Sequence, residues 1–144
     1  MNVLIDTNVV LDVLIRREPF FECSQLIMLA SEQKIINGFV SASAITDIFY
    51  ITKKHLKNKT ATYKLLKEHL MRTISVAAVD GHKITEALNL EWDDFEDCVQ
   101  YVIGESIAAD YIVTRNPNDF INKQICVVNP EELLNIIVPA KKRE

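Results

Sequence analysis

The chain has 144 residues, 49% of them hydrophobic, and a net charge of −4. That predicts one globular domain over residues 1–138 with a sizeable core, a polar tail over 139–144, and no run able to cross a membrane. Cys23, Cys98 and Cys126 are too few and too scattered for a disulfide framework or a zinc site, and the N-terminus lacks a secretory pattern. A cytoplasmic protein with its cysteines packed as small hydrophobes is the expectation.

Strands and helices alternate along the chain. Met1 to Ile5 predicts a strand, and Asn8 to Ile15 a short helix. Pro19 suits the first residue of a second helix running to about Gln33. Its apolar residues Phe20, Phe21, Leu26 and Ile27 fit a core or an interface equally. Ile35 to Val40 is strand-like around Gly38, and Ser41 and Ser43 offer caps for a helix through Leu56. Thr60 caps another to Arg72, and Ile74 to Val79 is a short β-branched run. Asp80 caps a helix to Leu90, and Asp93 or Asp94 caps one through Ile107. Tyr111 to Thr114 and Ile125 to Val128 are short strands, and Pro130 to Ile137 is the last helix. Alternation of this kind implies an α/β fold, a parallel sheet covered on both faces.

The net charge conceals a separation. Residues 53–72 carry seven Lys or Arg and one acid, while residues 80–97 carry seven acids and one base. Two oppositely charged solvated faces explain this, and so does a basic stripe beside an acidic site.

Asp6 ends the apolar run Val3-Leu4-Ile5, where a charge is costly to bury. It is either a helix cap or part of a ligand site. Ligands of open parallel sheets gather beyond the C-terminal strand ends. Asp6 lies at one such end, and Thr114 to Asp119 follow another. Asp47 and Asp97 sit in the first turns of helices that start at the same edge. Each has a plainer reading: Asp47 as a polar-face residue, Asp97 as a helix-start acid, Asp119 as an Asx-turn residue. Together, four converging carboxylates would repel strongly unless protonation relieved them or a divalent ion joined them, and only the ion keeps the charge useful. An all-oxygen set favours Mg²⁺ or Mn²⁺ over zinc.

The motifs Val3-Leu4-Ile5-Asp6-Thr7-Asn8, Asp94-Phe95-Glu96-Asp97, and Ala109 to Asn116 with Asp119-Phe120 are similar to those of PIN-domain ribonucleases. Within that family the chain resembles the small group that includes toxins of VapBC-type toxin–antitoxin pairs. The resemblance implies a PIN-like three-layer α/β/α sandwich with a central parallel sheet and a metal-dependent endoribonuclease activity. It places Asp6, Asp47 and Asp97 as core acids binding Mg²⁺ or Mn²⁺, with Asp119 as a fourth, and Asn8, Asp94, Thr114 and Asn116 as supporting residues. Many members have Glu where Asp47 stands, so metal contact there would pass through water. Lys53, Lys54 and Lys57 would then hold the RNA backbone, and Arg16 and Arg17 either touch phosphate or end a helix. Tyr50 and Tyr63 either stack on bases or pack inward. A small antitoxin inserting an Arg among the acids, and a homodimer, also follow from the likeness.

Two other functions compete. One is a non-catalytic RNA- or protein-binding domain of the same fold. The other is an aspartyl phosphotransferase, although Asn8 stands where such enzymes want a second Asp.

Overall fold

The computed structural model describes residues 1–121 and 124–138. The expected polar tail over 139–144 lies outside the described residues.

The elements run β1 (Asn2–Ile5), α1 (Thr7–Leu14), α2 (Phe21–Glu32), β2 (Asn37–Ser41), α3 (Ala42–Leu56) and α4 (Lys59–Leu65). A π-helical stretch, Leu66–Leu70, links α4 to a last turn, α5 (Met71–Thr73). There follow β3 (Ser75–Ala77), α6 (Gly81–Leu90), α7 (Phe95–Ser106), β4 (Tyr111–Val113), a 3₁₀ turn (Pro117–Asp119), β5 (Cys126–Val128) and α8 (Pro130–Ile137). The sheet is all parallel, in the order β3-β2-β1-β4-β5.

Side chains alternate across β1, and that alternation divides the core. Val3 and Ile5 join α1, α2, α3 and α8 on one face; Leu4 joins α6 and α7 on the other. The architecture is the expected three-layer α/β/α sandwich. The chain winds from β1 outward to β3, then returns to place β4 on the other side of β1. The order therefore reverses between β1 and β4, and a crevice opens beyond their C-terminal ends.

Gly38 shows how tightly one layer closes. A Cβ there would collide with the Ser31 side chain of α2, whose Oγ donates to the Thr73 carbonyl at 2.6 Å.

Several boundaries differ from the sequence expectation. Pro19 does not open α2; it lies in the preceding turn, where Phe20 and Phe21 N–H both donate to the Arg17 carbonyl. Asn58, not Thr60, caps α4, its Oδ1 accepting from Ala61 N at 2.9 Å, because α3 has already ended at Lys57 in the left-handed region. Ser41 rather than Ser43 caps α3, and Asp94 rather than Asp93 caps α7. Among the cysteines only Cys98 is buried; Cys23 is half-buried and Cys126 exposed. Phe20 and Leu26 are exposed, while Ile27 is fully buried.

Candidate active site

Asp6 lies where both readings of the sequence put it. It caps α1, accepting from Thr7 N at 2.7 Å, and it lines a cleft at the β1–β4 crevice. Thr114 Oγ1 donates to Asp6 Oδ2 at 2.7 Å, and Gln100 Nε2 donates to Oδ1 at 3.1 Å. Asp6 N–H completes the tie to β4, donating to the Val113 carbonyl at 3.0 Å. The loop after β4 is laced to the loop after β1. Asn8 Nδ2 donates to Thr114 Oγ1 at 3.4 Å, Arg115 N donates to Asn8 Oδ1 at 3.4 Å, and Asn116 N donates to Thr114 Oγ1 at 3.3 Å.

The cleft encloses about 300 Å³. Asp6, Asp94, Glu96, Asp97 and Asp119 line it with Asn8, Thr114 and Asn116. Asp94 caps α7 by accepting from Asp97 N at 3.0 Å, which sets Asp97 in the first turn, facing the other acids. Asp119 closes the ring from the 3₁₀ turn. Crowding has an electrostatic consequence. Burial, then Asp94, Asp6, Asp119 and Glu96, push the Asp97 carboxyl up to about 7. Burial also raises Asp6, against the pull of its hydrogen bonds from Thr114, Thr7 and Gln100. Glu96 is raised by burial and by Asp6, Asp47 and Asp94.

Asp47 stands apart. It is exposed on α3 and lines an adjoining cavity with Glu96, not the cleft itself. Its charge reaches the site through Glu96. Lys53, Lys54 and Lys57 are exposed at the end of α3 and line no wall of the cleft; Ile51 is the α3 residue that does. Tyr50 and Tyr63 are not core residues. Tyr50 is 62% exposed, and Tyr63 lies under Lys67 Nζ at 5.7 Å.

Arg17 is the sole cation among the described residues lining the cleft. Behind it lies Asp12, fully buried, with Arg115 Nε at 3.4 Å and Arg17 Nη1 at 4.0 Å. Burial raises the Asp12 carboxyl, while the two guanidinium groups and the Ser24 hydroxyl oppose the rise.

Sequence reasoning missed Gln100, Glu96 and Asp12 as parts of this assembly. Gln100 had a signal: a lone amide inside the apolar run Cys98 to Ile103, three residues after Asp97 and so on its face of the helix.

A family model for the PIN domain matches residues 2–118. The chain belongs to the PIN-domain family. The PIN fold also appears in VapC20 of Mycobacterium tuberculosis, a Sarcin-Ricin loop cleaving toxin, which is similar in structure with a TM-score of 0.60. That likeness covers 76% of this chain and 86% of VapC20 at 9% identity, so it speaks to the shared fold. The chain matches no curated protein by sequence. Among the described residues of this PIN domain, no helix is long and apolar enough to cross a membrane.

The PIN cleft suits a hard divalent cation. Its donors are carboxylate and other oxygens, and the Asp97 carboxyl is pushed up by burial and then by the acids around it. Among the described residues no three acid, His or Cys side chains already form a finished ligand cage.

Proposed function

We propose that this chain, working as one PIN-like domain over residues 1–138, is a Mg²⁺- or Mn²⁺-dependent endoribonuclease. The observation that carries the reading is the convergence of Asp6, Asp94, Glu96, Asp97 and Asp119 on one cleft, a crowding that together with burial pushes the Asp97 carboxyl up.

Asp6, Asp97 and Asp119 would hold the ion, with Asp47 reaching it from beyond Glu96 through water. When bound, such an ion neutralises charge on the scissile phosphate and acidifies a water. The chain's own residues do the rest. Thr114 and Gln100 fix both oxygens of Asp6, so its carboxylate needs no reorganisation as charge develops. Asn8 and Asn116 hold Thr114 in place. Asp94 fixes the first turn of α7 and so the position of Asp97. Arg17, backed by buried Asp12, offers a donor to a phosphate oxygen at the rim. Lys53, Lys54 and Lys57 extend that attraction along the RNA backbone.

The family and the fold shared with VapC20 support a toxin of a toxin–antitoxin pair. A cytoplasmic homodimer completes this reading. Its antitoxin would be a small protein that neutralises the acids with an Arg.

The test is cleavage of a mixed RNA pool by the purified chain with Mg²⁺, Mn²⁺ or EDTA. Activity with either metal, lost in EDTA and in Asp97→Asn, is the expected result. RNA left intact with both metals would overturn the proposal.

A further inference from the structure

Beside the acid cleft lies a second cavity of about 210 Å³, between α3, α6 and α7. Ala44, Ile84, Phe95 and Val99 give it apolar walls; Ser43, Asp47, Glu96 and Gln100 give it polar ones. Glu96 lines both cavities, so the two share a wall. Phe95 is 43% exposed, an aromatic face left open to an incoming ring.

Gln100 is the informative residue. It is 2% exposed, and its Nε2 donates to Asp6, a carboxylate that can only accept when ionised. The amide orientation is therefore set, and Oε1 is the atom left over. Among the described residues Oε1 is buried with no hydrogen-bond partner. Gln100 lines this cavity, and buried polar atoms are nearly always paired, so its orphan acceptor points to a donor that the protein itself does not supply.

We propose that this cavity is the pocket for one nucleobase flanking the scissile phosphate, and that it selects bases bearing an exocyclic amine. The inference rests on the ribonuclease reading. Its polar walls decide the chemistry. Gln100 Oε1, Asp47 and Glu96 are all acceptors, so they favour adenine, cytosine or guanine, each of which presents an amine. Uracil places its one base-edge donor, N3–H, between two carbonyl oxygens, and those oxygens face the surrounding acceptors unfavourably. Phe95 supplies the stacking surface that single-strand binders use for any base. The separation of labour is simple: the cleft handles phosphate, and the pocket beside it reads the base.

Uncharged nucleosides test the pocket without metal or phosphate. Adenosine, cytidine, guanosine and uridine would be titrated into the whole protein, following the Gln100 side-chain amide and the backbone amides of Ile84, Phe95 and Val99 by NMR. The expected result is a shift of these signals by the three amine-bearing nucleosides and a weaker one with uridine. Phe95→Ala and the cavity-filling Ile84→Trp should both abolish the shifts. In parallel, cut sites in a random RNA pool should avoid uridine at one flanking position by about tenfold. Phe95→Ala, a half-exposed position whose loss leaves the core intact, should flatten that bias. Nucleosides that shift none of these signals, or cutting indifferent to both flanking bases, would overturn the pocket. Nucleoside binding in a protein that cuts no RNA would keep the pocket and sink the nuclease.

Discussion

Thr114 Oγ1 donates to Asp6 Oδ2 at 2.7 Å and so joins the ends of two adjacent strands, β1 and β4, that lie 108 residues apart in the chain. Thr114 is 1% exposed. Thr114→Val leaves Asp6 short of a donor in a buried place. We expect a stability loss of about 1–3 kcal/mol, read as a lower urea midpoint. Thr114→Ser keeps the hydroxyl and should recover most of it. An unchanged midpoint in the Val variant would show the bond to be idle.

Asp97 predicts an unusual pH response for the metal-free protein. Its carboxyl sits at about 7 in the folded chain against an ordinary 3.8. A raised folded value means that the fold binds the proton more tightly than the unfolded chain does. The associated stability is fully present below pH 3.8 and is lost as pH rises through about 7. Thermal melts in EDTA should therefore fall between pH 4 and pH 7, apart from general acid effects. Asp97→Asn should flatten that slope and raise the melting temperature at pH 8. Added Mg²⁺ should steepen neither; it should lift the wild type at pH 8 and spare the variant. A melt that climbs smoothly to pH 8 without metal would contradict the crowding.

Asp6 admits a separation of its two duties. Asn caps helices about as well as Asp, whereas Ala does not. Asp6→Asn should fold like the wild type and lose cleavage by at least about 100-fold. Asp6→Ala should lose the same activity and also about 1 kcal/mol of stability. Circular dichroism melts beside cleavage rates distinguish the two. Equal melting of the Asn and Ala variants would remove Asp6 from the cap.

Gly38 makes a packing prediction. A methyl group there meets the Ser31 side chain, so Gly38→Ala should cost about 1–3 kcal/mol. Ser31→Ala in the same chain removes the clashing oxygen and should return part of that loss. A double-mutant cycle measures the coupling, and strict additivity would refute it.

Much of the fold was legible because its signals are local. Val3 to Ile5 and Tyr111 to Val113 are fully apolar, as strands buried on both faces must be. Helix starts were legible where one residue could cap, as with Asp80. They were less so where neighbours competed, as Ser41 with Ser43 and Asp94 with Asp93. Asn58 was overlooked because the left-handed residue before it, Lys57, ends a helix without a glycine to announce it. The acids at the strand ends could be placed because the topology rule fixes the edge at which they meet. Nothing in the spacing showed that Asp47 faces the neighbouring cavity, since that depends on the roll of α3 about its axis. Gln100 and Asp12 lay hidden for a related reason: each serves a partner far away in sequence, and Asp12 balances Arg115 from another strand end.

The last turn of α3 carries Lys53, Lys54 and His55, and Ile51, one turn before them, forms a wall of the acid cleft. A polyanion drifting near this surface thus meets attraction and repulsion within a few residues of each other. Encounter would be guided by charge before any fit is tested, and salt should slow it. Such a gradient would also give a thread-like molecule a heading: its bulk would rest along the helix end, and only a stretch whose charge is compensated would dip into the negative hollow.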